Sequence, residues 1–271
     1  MNIDSIKKMK SGKYKITLDG ETFTTYDDVL IKNGILYKKK IDAETFEKML
    51  DDHQYYDAYN KTMSYIMKRQ RCTEEVKRYL DKFPLSDDDK KNILKHLKDI
   101  GLINDKNYIK SYISDSIYLG TDGPYKIKNQ LIELGMDEDD IDLELSKIDS
   151  DIIMDKAIKI ISKKVKSNTK YSEYQLKQKI LYDMSEKGYS KELIISILDN
   201  YSFNDSILLE KEYDKQYSKL SKKYSGNELN YKIKQKLYSK GFDINQINEF
   251  MQKKEALCQI VSVTQINDKE I

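Results

Sequence analysis

The sequence predicts a mainly α fold: an elongated tandem array of three-helix repeats with a small N-terminal β-rich (α+β) domain. Three observations carry that expectation. One line of text is written twice, as YKIKNQLIELGM at residues 125–136 and YKIKQKLYSKGF at residues 231–242. Charged residues make up 35% and the apolar set only 39%, a ratio that suits small modules with much surface better than one large core. With Gly at 10, Pro at 2 and no Trp, the chain has few breakers, so its helices should be long.

Residues 1–53 read as the β-rich head. Residues 3–9 and 13–18 have extended character, and Asp19-Gly20 separates the latter from residues 21–25. An Asp-Gly step between β-branched residues is a strong two-residue hairpin signal, because both turn positions need positive φ. Gly34 ends a short helical stretch begun near Tyr26 by offering the left-handed conformation of a helix exit. Asp42 is placed to cap a helix through Phe46, Met49 and Leu50. A head this small should lean on the first repeat.

The duplicated line reads Y-K-I-K-x-x-L-x-x-x-G-apolar. Ile127/Leu131 and Ile233/Leu237 are i, i+4 pairs, so each copy is a helix whose core stripe stops at its glycine. Asp137 and Asp243 follow as caps for the next helix, and Asp243 with Gln246 resembles a capping box. The same grammar finds two more copies. In the first, Val76 and Leu80 form the stripe, Pro84 replaces the glycine, Leu85 fills the apolar slot and Ser86 caps. In the third, Tyr174 opens a match to YQLKQKI, Gly188-Tyr189 turns and Ser190 caps. Its two ends lie one helical turn further apart, so the alignment there can slide by a turn.

Each copy has a preceding helix: Tyr59, Met63, Ile66 and Met67; Tyr108, Tyr112 and Ile113; Ala157, Ile160 and Ile161; Tyr213, Tyr217 and Leu220. The helices after the caps carry Ile93, Leu94 and Leu97; Ile141 and Leu145; Ile194, Ile197 and Leu198; Ile247, Phe250 and Met251. A tandem array of this period divides the chain into a head at 1–53, repeats at 54–104, 105–151, 152–205 and 206–254, and a tail at 255–271, either a last helix or frayed.

Several of these lines resemble the RecX family, regulators of the RecA recombinase. Residues 64–80, SYIMKRQRCTEEVKRYL, are similar to the family line YL-x-x-R-x-R-S-x-x-E-L-x-x-x-L. Arg69 and Arg71 hold its arginine places, Cys72 the small-residue place and Glu75-Val76 its Glu-Leu. LKDIGLIND at 97–105 followed by Tyr108 resembles the junction between first and second repeats, and 123–136 a second-repeat line with Lys126 in the basic place. The resemblance covers residues 1 to about 250, including a head of the kind longer Gram-positive members carry. Pro84, the exchange of most family arginines for lysine, and a fourth copy depart from the pattern. The resemblance implies a regulator of homologous recombination and DNA repair, linked to the SOS response, that binds RecA–single-stranded-DNA filaments and mostly inhibits them. Some members also contact DNA.

No catalytic constellation accompanies these signatures. Gly12-Lys13 would need glycine where Lys7 stands to make a P-loop, and there is no G-x-S-x-G, H-E-x-x-H or C-x-x-C. His53 and His96 lie in different modules and read as surface helix residues. The acidic run 137–140 reads as carboxylates at a helix N-terminus rather than a Mg²⁺ site. No enzyme activity, metal or cofactor is expected. Two distant cysteines fit a reducing compartment. Without an apolar leader or a spanning segment, a monomeric cytoplasmic protein is expected.

Net charge is only +2, but it is segregated: residues 104–151 hold 12 acids and 5 lysines, residues 155–240 hold 19 lysines and 11 acids. An AT-rich coding sequence explains abundant lysine but not its segregation. The three arginines, Arg69, Arg71 and Arg78, fall together on the first repeat with Lys68 and Lys77. Their planar forks suit carboxylate and phosphate, making this patch the leading candidate for partner or DNA contact; a solvated face with a structural salt bridge is the other reading. Tyr125, Lys126 and Lys128, and equivalently Tyr231, Lys232 and Lys234, are the second set. Here the rings would stack on bases or pack at the repeat rim, and the lysines would point to solvent. A DNA-binding protein with helix-turn-helix-like modules is the alternative function, opposed by the acidic helix after residue 137.

Overall fold

A computed structural model describes residues 1–201 and 203–267, with side chains described up to residue 256. The chain forms two compact units, residues 1–114 with 130–144, and residues 115–129 with 145–271.

The first unit opens with a three-stranded antiparallel sheet of β1 (Ile3–Lys8), β2 (Tyr14–Leu18) and β3 (Glu21–Thr25), in sequence order. Leu18 pairs with Glu21, leaving Asp19 and Gly20 as the hairpin loop. Both have positive φ, 44° and 84°, as the tight turn requires. The first strand holds that turn in place: the Asn2 N–H donates to Asp19 Oδ1 and the Gly20 N–H to Asp4 Oδ2. Helix α1 (Asp27–Lys32) ends near Gly34 at φ 61°, and a 3-10 turn (Ile35–Tyr37) leads to α2 (Ala43–Lys68), whose cap is Asp42.

Helix α2 runs 26 residues without a break through position 53, where the sequence reading ends the head. Its first half closes the head core of Ile16, Leu18, Val29, Leu30, Ile35, Ile41 and Met49. Its second half, with α3 (Thr73–Leu80) and α4 (Asp87–Asp99), encloses Ala58, Ile66, Val76, Leu80, Ile93, Leu97 and Ile103. His53 is not the plain surface residue expected. It is half-buried against Phe23 and Tyr26, its Nδ1 lies 3.1 Å from Thr25 Oγ1, and burial lowers its pKa. Met67, expected in the core stripe, is 77% exposed. It closes the last turn of α2 on the face away from Ile66.

Helices α5 (Asp105–Tyr118), α6 (Pro124–Glu133) and α7 (Glu138–Leu145) make up the next three-helix element, contributing residues to both units. In the second unit, α8 (Ser150–Lys166), α9 (Glu173–Glu186) and α10 (Lys191–Asp199) enclose Ala157, Ile161, Leu176, Ile180, Met184 and Ile194. Helices α11 (Ser206–Leu220), α12 (Gly226–Ser239) and α13 (Ile244–Asn267) enclose Leu209, Leu229, Ile233, Leu237, Phe242 and Ile247. Tyr217, expected in that core, is exposed. Helix α13 carries the chain from residue 255 on as helix; residues 268–271 of the expected tail lie outside the described residues.

The extra turn expected in the third copy is not an insertion. Helices α9 and α12 are both 14 residues long, and Leu176, Ile180 and Met184 stand in the same register to Gly188 as Leu229, Ile233 and Leu237 do to Gly241. Tyr174 therefore sits one turn before the place of Tyr231, which Gln178 occupies. Apolar spacing tolerates such a slide, and the exit glycine fixes the frame.

Those glycines also allow helices to meet end to end within the second unit. The Gly123 N–H donates to Lys187 O and the Tyr125 N–H to Gly188 O, so the first turn of α6 is satisfied by the exit of α9. A Cβ on Gly188 would lie 2.2 Å from Lys126 N. At the next junction the Ser172 hydroxyl, N-cap of α9, donates to Lys240 O at the exit of α12.

Candidate partner and nucleic-acid interface

The first basic patch is built where α2 ends. Lys68 closes the helix, Arg69 leaves it in extended backbone, and Cys72 starts α3. Glu75, on the first turn of α3, reaches back to the Cys72 N–H at 3.3 Å, a capping arrangement that satisfies an otherwise orphaned donor. Its Oε1 accepts from Arg69 Nη2 at 2.6 Å and Arg71 Nη1 at 2.9 Å. Burial opposes ionisation of Glu75, but the Arg71 and Cys72 hydrogen bonds and the charge of Arg69 outweigh it, holding the carboxyl below its ordinary value.

The three arginines therefore play different parts. Arg71 is only 13% exposed, and its guanidinium lies 4.0 Å from the Tyr65 ring centroid. Tyr65 in turn stacks on Tyr79 at 4.2 Å, nearly parallel. For Arg71 the salt-bridge reading is the one the geometry favours. Arg69, 56% exposed, pairs with Glu75 yet faces solvent. Arg78 is exposed and pairs one turn back with Glu74 at 3.1 Å. Lys68 and Lys77 are exposed.

Sequence reasoning missed the neighbouring cleft. Within the first unit, Lys13, Tyr26, Asp57, Lys61, Tyr65, Lys68 and Tyr79 line an open cavity of about 510 Å³. Asp57 sits among its cations, 2.7 Å from Lys61 and 3.7 Å from Lys13, and accepts from the Tyr26 hydroxyl at 2.8 Å. Burial raises the Asp57 pKa, while the Lys61 and Tyr26 hydrogen bonds and the charge of Lys13 bring it below the ordinary value. Lys61, Tyr65 and Lys68 follow i, i+4, i+7 spacing on α2, a one-face signal legible in the sequence. Lys13 comes from the head, and no spacing rule joins it to them.

The second set divides as well. Tyr125 and Tyr231 are 62% and 63% exposed, so neither ring packs at a repeat rim. Lys126 does not simply point to solvent: its Nζ is 3.1 Å from Asp122, and its backbone abuts Gly188. Lys128 is half-buried. Lys232 is half-buried with its Nζ 5.9 Å from the Tyr224 ring, and Lys234 is half-buried. Helix α7, in the acidic segment, carries Glu138, Asp139 and Asp140 in its first turn. No helix among the described residues is long and apolar enough to cross a membrane.

Comparison with known proteins bears on the family and the fold. The family model described as RecX, third three-helix domain, matches residues 208–251, the fourth copy in this chain. Regulatory protein RecX of Lactococcus lactis subsp. cremoris (strain SK11) is 32% identical over 257 residues, covering 91% of this chain and 95% of that protein. Regulatory protein RecX of Streptococcus agalactiae serotype III (strain NEM316) is 31% identical over 91% of this chain and 97% of its own length. A crystal structure of regulatory protein RecX superposes with a TM-score of 0.62 at 26% identity, covering 73% of this chain and 99% of the other. Helical fold, β head, repeat signatures and full-length relatives converge: the chain belongs to the RecX family of regulatory proteins, which are regulators and not enzymes.

Proposed function

We propose that this protein binds RecA recombinase filaments on single-stranded DNA and mostly restrains them, acting as a cytoplasmic monomer through the surfaces of its three-helix repeats. The observation that carries the reading is the exposed basic face of the first repeat, Lys68, Arg69, Lys77 and Arg78, around the Arg71–Glu75 clamp. The clamp fixes where Arg69 leaves α2, and a pre-positioned guanidinium loses little entropy on meeting a carboxylate or phosphate. Exposed Tyr125 and Tyr231 next to Lys126, Lys128, Lys232 and Lys234 offer a second contact of the same kind. The test is recombinase ATPase and strand exchange on single-stranded DNA with stoichiometric protein. Inhibition that weakens in Arg69→Ala/Arg78→Ala supports the reading; rates unchanged by the wild-type protein refute it.

A second reading, direct DNA binding, is favoured by the Lys13–Lys61–Lys68 cleft lined by three tyrosines. A steep fall of affinity with salt in the absence of recombinase would support it. The acidic first turn of α7 counts against a footprint that extends over that helix.

A further inference from the structure

The lysine-rich second unit contains a cleft of opposite character. An open cavity of about 860 Å³ lies between the N-terminal turn of α9 and the turn joining α12 to α13. Tyr174 and Tyr238, 63% and 62% exposed, stand at its walls. Three carboxylates, Glu173, Asp205 and Asp243, line it against a single cation, Lys177.

The cleft's own groups satisfy one another only in part. Lys177 is held by Glu173 at 2.7 Å and lies over the Phe203 ring. Asp243 spends its Oδ1 on the Asn245 and Gln246 N–H groups at the start of α13, which removes that helix end as an anion site. Asp205 is different. It is 7% exposed, and its Oδ2 accepts from the Glu173 N–H. Its Oδ1 has no donor among the described residues. Burial pushes its pKa up, the direction expected of a carboxylate that lacks a cation.

We propose that this cleft receives an arginine side chain of a protein partner. The guanidinium would fork onto Asp205 while its plane stacks against Tyr174 or Tyr238. A planar cation that is also a bidentate donor fits both surfaces at once, whereas an ammonium satisfies only the charge. A cleft lined by three carboxylates and two aromatic rings would not hold an anion, so phosphate is not the occupant. The site is separate from the first-repeat surface and does not rest on the recombinase reading.

The experiment is an NMR titration of the full chain with N-acetyl-argininamide, with N-acetyl-lysinamide and the neutral isostere N-acetyl-citrullinamide as comparators. Saturable shifts confined to residues 173–177, 205 and 238–246, with arginine tighter than lysine and no saturation by citrulline, are expected. Asp205→Asn keeps an oxygen for the Glu173 N–H and should weaken the arginine probe by about tenfold or more, a loss of about 1.4 kcal/mol. Tyr174→Ser and Tyr238→Ser alter exposed rings that the fold does not need, and should narrow the preference for arginine over lysine. Citrulline binding as well as arginine, shifts that fall outside the cleft, or tyrosine variants with unchanged preference would overturn the proposal.

Discussion

Three arginines within one repeat look interchangeable in a sequence, and the structure makes them unequal. Arg71→Ala removes a guanidinium packed 4.0 Å from Tyr65 and its bond to Glu75. A partly desolvated cation–π contact contributes about 1–2 kcal/mol, and a hydrogen bond between charged groups about 1.5–3 kcal/mol. Two effects offset this. Arg71 Nε is buried without an acceptor, which already costs the wild type about 1–2 kcal/mol, and Glu75 keeps Arg69 and the Cys72 N–H after the substitution. The net loss should be about 2 kcal/mol. Arg78→Ala removes an exposed i, i+4 pair and should cost at most about 0.5 kcal/mol. Urea denaturation followed by circular dichroism measures both. If the two variants unfold within about 0.5 kcal/mol of each other, the clamp is no clamp and the division of roles is wrong.

Two more outcomes follow from the same geometry. Glu75 has a lowered folded pKa, so its stabilisation is present above its unfolded value near 4.5 and disappears as pH falls through the folded value. Glu75→Gln should therefore flatten the acid limb of a denaturation-midpoint profile; an unchanged limb places the pH dependence elsewhere. Gly188→Ala combines φ 82° with a Cβ 2.2 Å from Lys126 N and should cost more than about 3 kcal/mol, against about 1 kcal/mol for Gly101→Ala, where φ is 75° and the space is open. Equal losses in thermal melts would mean that the helix ends do not meet.

What the sequence revealed depended on whether the signal was local. The Asp-Gly hairpin, the Asp42, Ser86 and Ser190 caps, and the glycine exits follow from residues a few positions apart, and each appears where expected. The core stripes were legible for the same reason, except at their edges: Met67 and Tyr217 continue an apolar spacing one step beyond the face that is buried. The frame of the third copy was undetermined because a helix shifted by one turn presents the same stripe. Of the candidate site, residue type identified the first-repeat patch but could not separate Arg71 from Arg69. That distinction depends on Tyr65, Tyr79 and Glu75 meeting in space. Neither basic cleft nor acidic cleft could be read, since each joins side chains from elements far apart in the chain.

The junctions between repeats follow a rule that emerges only when structure and sequence are set side by side. The first N–H of α3, at Thr73, donates to Asp105, and the first N–H of α9, at Glu173, donates to Asp205; each acceptor stands 32 residues downstream. In both cases the aspartate opening the next repeat caps the middle helix of the one before. The same step from Pro124, the first residue of α6, lands on Lys156, which lies inside α8 (Ser150–Lys166) and not at its start, where Asp149 is the cap. Proline has no N–H to donate, so the first residue of α6 needs no such acceptor. Lys156 serves carbonyls instead: its Nζ donates to Ser116 and Ile117 in the last turn of α5 and to Asp122 just past it, at 2.8, 2.8 and 3.2 Å, satisfying groups at the end of a helix rather than at its start. Burial lowers the Lys156 pKa, while the nearby Asp122 charge favours the ammonium. The junction at α6 thus does without the aspartate acceptor because its middle helix opens on proline, and a lysine from inside the next helix holds the end of α5 instead.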